Sequence, residues 1–288
     1  MLKLQVIAVF LIAVTLAPAG AQVARETTGR LLTRPPIVTT TDAPAGTGTL
    51  PVKWVNVGIP DLGVMRAAVA TPSGPGPFPV ILLLHGTHGF ARQYVELAND
   101  LARAGFIAVA ACWFSGGSGA GTRAVTAPIP CPEVQPLGPG EYPQAVRLVD
   151  ALVQAIRTLP GARADRLALV GHSRGGGATQ QYLLAGGHVQ AAVLHSSGYA
   201  LSPWNRAAEF NVPILIMHGT ADGPADGGGP NTRVELARKF EAALRANKRS
   251  VESAYCQACG HSTFFTSPSQ RQEELQRIIE FLRRHLDR

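Results

Sequence analysis

Leu167-Ala168-Leu169-Val170-Gly171-His172-Ser173-Arg174-Gly175-Gly176-Gly177-Ala178 is the stretch on which the fold turns. An apolar run leads into G-x-S-x-G, and a segment able to form a helix follows. Between a buried strand and a helix, glycines let the backbone turn sharply enough to lift a serine hydroxyl above a sheet, at a helix N-terminus. In a chain with 31 glycines the five-residue motif alone says little, because composition can generate it. Its strand and its helix give it meaning.

Outward from this point, short apolar runs alternate with helical periods. Strands are expected at 52–57, 64–70, 80–84, 106–111, 167–171, 191–195, 213–218 and 250–255. Val80-Ile81-Leu82-Leu83-Leu84 is apolar throughout, as a central parallel strand covered on both faces must be. Ala145, Val149, Leu152, Val153 and Ile156 recur on one helical face, as do Leu236, Phe240, Ala243 and Leu244. Leu275, Ile278, Ile279, Leu282 and Leu286 mark a helix near the C-terminus. The pattern predicts an α/β domain over 50–288, with a mainly parallel sheet of about eight strands and helices on both faces. Ligands of such sheets bind beyond the carboxyl ends of the strands.

Chemistry-bearing residues fall at those ends. Ser173 follows 167–171, Asp222 follows 213–218 in His218-Gly219-Thr220-Ala221-Asp222, and His261 lies beyond the last strand in Cys259-Gly260-His261-Ser262. His85-Gly86-Thr87-His88-Gly89 follows 80–84. A serine hydroxyl is a poor nucleophile at neutral pH, so a histidine must take its proton and a carboxylate must orient that histidine. Ser173, His261 and Asp222 fill these roles in the order Ser…Asp…His. Asp226 offers a second carboxylate on the same Gly/Pro-rich loop; Asp222 is preferred as the nearer to the strand end. The backbone N–H groups of Thr87 and Arg174 are the expected donors to an oxyanion. His172 is read as a support of the turn, His195 and His218 as strand-end residues held by packing or loop hydrogen bonds, and His285 as a helix-surface residue. His88, Phe90, Trp113, Tyr199, Trp204 and Phe264 fall near the same face and are candidates for a substrate pocket. The glycine-rich 112–143 loop, with Gly116, Gly117, Gly119 and Gly121, is a candidate partial lid.

Composition sets limits on partners and compartment. The formal charge is +7, but the bases alternate with acids, Glu273, Glu274 and Glu280 among them, along amphipathic helices. Solvated helix faces explain that pattern better than a nucleic-acid surface does. Lys3, an apolar run from Leu4 to Leu16 and Ala19-Gly20-Ala21 read as a cleavable signal peptide over 1–21, too short for a membrane anchor, with the cut after Ala21. Residues 22–49, rich in Thr, Pro, Ala and Gly, read as a linker or an extended wrap over the domain. The four cysteines suit an exported protein, with Cys112 paired to Cys131 and Cys256 to Cys259. For Cys256-x-x-Cys259 no second ligand pair stands at metal spacing, so a structural bridge is the reading.

Leu84-His85-Gly86, Gly171-His172-Ser173-Arg174-Gly175-Gly176, Met217-His218-Gly219-Thr220-Ala221-Asp222 and Gly260-His261 together resemble the α/β-hydrolase superfamily, nearest its dienelactone hydrolase-like branch. The resemblance spans roughly 50–287. It implies a Ser173 nucleophile, an Asp222 acid, a His261 base, oxyanion amides at Thr87 and Arg174, and hydrolysis of a small-molecule or polymeric ester without metal or cofactor. Dienelactone hydrolases proper use a cysteine nucleophile, so serine at 173 separates this chain from dienelactone specificity. A prolyl oligopeptidase-like peptidase shares the motifs but carries a large N-terminal domain. A noncatalytic binding protein on the same scaffold is disfavoured because all three triad positions are filled.

Overall fold

The computed structural model describes residues 31–44, 47, 50–59, 61–115, 128–131, 134, 137 and 141–287. Its strands are β1 (Ile37–Thr41), β2 (Lys53–Ile59), β3 (Gly63–Ala70), β4 (Phe78–Leu84), β5 (Ile107–Ala111), β6 (Ala162–His172), β7 (Ala191–His195), β8 (Ile214–Gly219) and β9 (Val251–Cys256). All eight expected strands are present, with ends shifted by a few residues. One sheet holds all nine, in the order β1-β2-β3-β5-β4-β6-β7-β8-β9. From β5 to β9 neighbouring strands run parallel, whereas β1, β2 and β3 add antiparallel pairings. The sheet is therefore mixed.

The ninth strand is a finding the sequence reading did not contain. Residues 37–41, within the segment read as a linker or an extended wrap over the domain, form β1 and pair with β2 from Ile37↔Gly58 to Thr41↔Trp54. Ile-Val-Thr-Thr-Thr is a run of β-branched residues, stiff at χ1 and suited to an extended edge. Upstream, the Leu32 amide donates to Asp150 Oδ2 at 2.7 Å, tying the segment to the domain.

The helices are α1 (Arg92–Arg103), α2 (Tyr142–Ile156), α3 (Arg174–Leu184), α4 (Val234–Ala246), the single turn α5 (Thr263–Thr266) and α6 (Pro268–Leu286). They cover both faces of the sheet. Leu83 of β4 and Val170 of β6 lie against Tyr94 and Leu97 of α1 and Ile278 of α6. Val109 of β5, in register with Leu82 rather than Leu83, meets Leu152 and Ala155 of α2 on the opposite side. Two covered faces leave Val80 to Leu84 at most 1% exposed, which is why that run carries no polar residue. Each such side chain contributes about 1.5–3 kcal/mol on burial. Phe240 and Leu244 of α4 and Ile278, Leu282 and Leu286 of α6 are buried along the faces their spacing marks.

Cys112 is bonded to Cys131 and Cys256 to Cys259, with Cα–Cα separations of 6.2 and 5.4 Å. Among the described residues no helix is long and apolar enough to cross a membrane. The expected signal peptide and Gly116, Gly117, Gly119 and Gly121 of the expected lid lie outside the described residues.

Candidate active site

The serine stands on a strained turn. Ser173, between β6 and α3, has φ 54° and ψ −116°. A non-glycine residue holds such a conformation only where its surroundings impose it. Here the Ser173 N–H donates to His195 O at 3.0 Å, and the amides of Gly198 and Gly177 donate to Ser173 O at 2.9 and 3.2 Å. The motif glycines serve close approach: a Cβ on Gly171 would strike the Gly175 carbonyl, and one on Gly175 would strike the Leu84 carbonyl. Strand, turn and helix N-terminus thus pack too tightly for any other residue.

Asp222 meets His261. The Nδ1–H of His261 donates to Asp222 Oδ2 at 2.8 Å, which leaves Nε2 as the acceptor for a substrate-side proton. Thr232 Oγ1 donates to Asp222 Oδ1 at 2.8 Å. His218 Nε2 lies 3.2 Å from Asp222 Oδ2 and donates to Thr232 O at 2.5 Å. Burial alone would raise the Asp222 carboxyl, but hydrogen bonds from His218 and His261 outweigh it and hold the group down at about 2. The carboxylate is therefore ionised near neutral pH.

Asp226 does a different job. Its Oδ2 accepts the Ser262 N–H at 3.1 Å, and its carbonyl accepts the Ser262 hydroxyl at 3.0 Å, bracing the residue after His261. The Ala221 amide donates to Cys259 O at 2.9 Å, so the acid loop and the histidine loop are tied directly.

The glycine loop after β4 closes over the serine. A Cβ on Gly86 would lie 2.9 Å from Ser173 Cβ and 3.2 Å from His172 Cδ2, so only glycine admits this approach. The loop is pinned from below: Gly86 N–H donates to the Tyr94 hydroxyl at 3.1 Å, and that hydroxyl donates to His88 Nε2 at 2.7 Å. Trp113 Nε1–H donates to His85 O at 3.0 Å. Thr87, the next residue of the loop after Gly86, is exposed, and Arg174 opens the first turn of α3. The Arg174 guanidinium stacks over Phe114 at 4.6 Å from the ring centre. Burial, with the neighbouring His261 as a lesser cause, brings the His88 imidazole down to about 4. Burial brings His85 down to about 3, against a smaller upward pull from its hydrogen bond to Gly86 O.

The expected pocket residues divide. His88 is a buried member of the glycine loop, with its ring 5.6 Å from that of His172. Phe90, Trp113, Tyr199 and Phe264 are at most 3% exposed and act as packing supports rather than as an open wall. Phe90 packs on Trp54 and His85, Tyr199 on His218 and Phe240, and Phe264 on His195. Trp204 is half-buried and lies under Lys239 at 4.2 Å, on the short helical turn Pro203–Glu209.

Two features lay beyond the sequence reading. Thr232, a buried hydroxyl on Asp222, belongs to no motif. Glu274, counted there among solvated helix acids, is 7% exposed and accepts from His195 Nε2 at 2.6 Å. Its position one residue before the apolar Leu275 places it on the inner shoulder of α6, a weak signal without the partner. Among the described residues, Cys256, Cys259 and Glu274 bring potential metal-ligating atoms within 4.8 Å of one another. The two sulfurs are bonded to each other and the carboxylate to His195 and Gln270, so all three donors are engaged.

A mixed sheet in this strand order, with a serine elbow after β6 and a carboxylate–histidine pair after β8 and β9, defines an α/β hydrolase. The chain belongs to the dienelactone hydrolase family, whose model matches residues 65–286. It is 25% identical over 240 residues to the "Probable 2-oxo-3-(5-oxofuran-2-ylidene)propanoate lactonase" of Bradyrhizobium sp., covering 75% of this chain and 85% of that protein. In fold it is similar to the acetyl xylan esterase of Paenibacillus sp. R4 (TM-score 0.60, 16% identity, 91% of this chain and 92% of that one). Esterase 2 of Thermogutta terrifontis, solved phosphorylated by paraoxon, aligns with a TM-score of 0.56 and 17% identity over 76% of this chain and 88% of that one.

Proposed function

We propose that this protein is an exported serine hydrolase that cleaves carboxylic esters through an acyl-enzyme. The observation that carries the reading is the buried His261–Asp222 pair at 2.8 Å, set at the same end of the sheet as the strained Ser173 turn. His261 Nε2 accepts the Ser173 proton as Oγ bonds to the substrate carbonyl carbon. The amides of Thr87 and Arg174 receive the negative charge that develops on the carbonyl oxygen. Each such donor is typically worth about 100- to 1000-fold in rate. The carbon–oxygen bond to the leaving group then breaks, and His261 returns the proton to the departing alkoxide. Water repeats the sequence on the acyl-enzyme, giving the acid and free Ser173.

The substrate class is a small-molecule or polymeric ester. Relatives bearing esterase and lactonase names support this choice, and serine in place of the cysteine of dienelactone hydrolases proper points away from their substrate. Export rests on the leader over 1–21 and agrees with the two disulfides. Hydrolysis of p-nitrophenyl esters graded from acetyl to long acyl chains tests the reading, with Ser173→Ala alongside. Turnover lost in the variant supports it; turnover retained by Ser173→Ala, or none from folded wild type on any ester, contradicts it.

A further inference from the structure

A second carboxylate–imidazole pair lies under the site, and its geometry leads back to His261. Glu274 Oε2 accepts from His195 Nε2 at 2.6 Å, while Glu274 Oε1 accepts from Gln270 Nε2 at 2.8 Å. An ionised carboxylate only accepts, so the His195 proton is on Nε2 and its Nδ1 faces inward. That Nδ1 lies 3.0 Å from His172 Nδ1, and one proton bridges the two. The far nitrogen of His172, Nε2, is buried without a hydrogen-bond partner. Its adjoining carbon, Cδ2, faces Gly86 beneath the oxyanion loop, and the His172 ring lies 5.0 Å from that of His261. Glu274, His195 and His172 are 7%, 5% and 3% exposed, so water does not screen this line of groups.

Resting on the serine-hydrolase reading, we propose that Glu274, His195 and His172 are positioning residues: a buried relay that presents a negatively oriented imidazole to His261 and stabilises its imidazolium. With the His195 proton directed to Glu274 and the His172 proton directed to His195, the nitrogen left bare is His172 Nε2, on the ring that lies 5.0 Å from that of His261. The arrangement is neutral at His172, where burial, and then the facing His261, His195, His88 and His218, oppose a charge. Glu274 meets His195, Gln270 and, at longer range, Arg277; His261 meets Asp222, His88 and His172. None of these places another carboxylate on the His172 side of His261. A negative field there favours the protonated base that forms as Ser173 attacks.

Glu274→Gln removes the charge while keeping the shape and a hydrogen bond to His195. In the folded variant the acid limb of kcat/KM moves to lower pH by roughly half to one unit. kcat at the plateau falls several-fold with KM unchanged, and Glu274→Asp, which keeps the charge, returns the limb toward wild type. An unmoved acid limb in active Glu274→Gln overturns the relay, since a merely structural role shifts no pH limb. Histidine 15N spectra of the wild type give a second measurement that needs no turnover: His172 carries its proton on Nδ1 and His195 on Nε2. A His172 with its proton on Nε2 overturns the proposal, whatever the activity. Wild type inactive on every ester counts instead against the hydrolase reading.

Discussion

The two buried carboxylate–imidazole pairs, Asp222–His261 and Glu274–His195, are alike in contact and unlike in outlook. Their hydrogen bonds are 2.8 and 2.6 Å, and all four groups are at most 9% exposed. Asp222 stands on a loop after β8 and aims His261 past the edge of the sheet. Glu274 stands on α6 and aims His195 inward, where the next group is His172 rather than substrate. On the proposed function, the same chemical pair is a catalytic device at a strand's carboxyl end and a supporting one beneath it. Direction, not partner chemistry, separates them.

The largest effect expected from breaking the comparison is at Asp222. Asp222→Asn keeps the shape, frees the His261 tautomer, and lowers kcat by roughly 10⁴-fold with little change in KM, as steady-state ester kinetics will measure. Asp226→Ala removes the Ser262 brace but leaves Asp222 on His261, so a smaller loss follows, roughly 10- to 100-fold in kcat. Equal losses at Asp222 and Asp226 would erase the distinction between orienting acid and loop brace. Glu274→Gln costs several-fold in kcat and moves the acid limb, as set out above, because its charge reaches His261 only through two rings.

Two imidazoles without a carboxylate sharpen the contrast through stability. His88 and His85 are brought down to about 4 and about 3, so below the ordinary 6.5 the unfolded chain binds protons that the folded chain refuses. Stability is therefore full above pH 6.5 and declines as pH falls toward 4, by on the order of 3 kcal/mol from His88 alone. Asp222, held at about 2 against an ordinary 3.8, adds stability that is lost only as pH falls from about 4 through 2. Denaturant midpoints measured from pH 7.5 to 4.5 check this order: the decline begins before the carboxylates titrate, and His88→Gln lessens it, leaving the part that His85 contributes. A midpoint constant over that interval contradicts it.

Much of this molecule is local enough to be read from sequence. Period and length find the eight strands because a covered parallel strand such as 80–84 admits no polar residue. The strand-end rule singles out Ser173, Asp222, His261 and the Thr87 loop as candidates because sheet topology gathers functional loops at one edge. Between Asp222 and Asp226 the sequence offers only nearness to the strand end, which favours Asp222, because both lie on one turn; the fold shows that it is the Asp222 carboxylate that meets His261. Thr232, and the His195–Glu274 pair separated by 79 residues, leave no local pattern at all. Glu274 even misleads, because a lone glutamate on an amphipathic helix reads as solvated until its partner is known. The β1 edge was hidden by composition: a run rich in threonine beside proline and glycine looks like linker until a free strand edge lies next to it.

Reaction with paraoxon, followed by intact mass and peptide mapping, tests the central claim most directly, because it reports the activated serine whatever the natural substrate. The account predicts a single diethylphosphoryl group on Ser173, absent from Ser173→Ala and strongly slowed in Asp222→Asn. Folded wild type that takes no adduct, or an adduct that persists in Ser173→Ala, would contradict it.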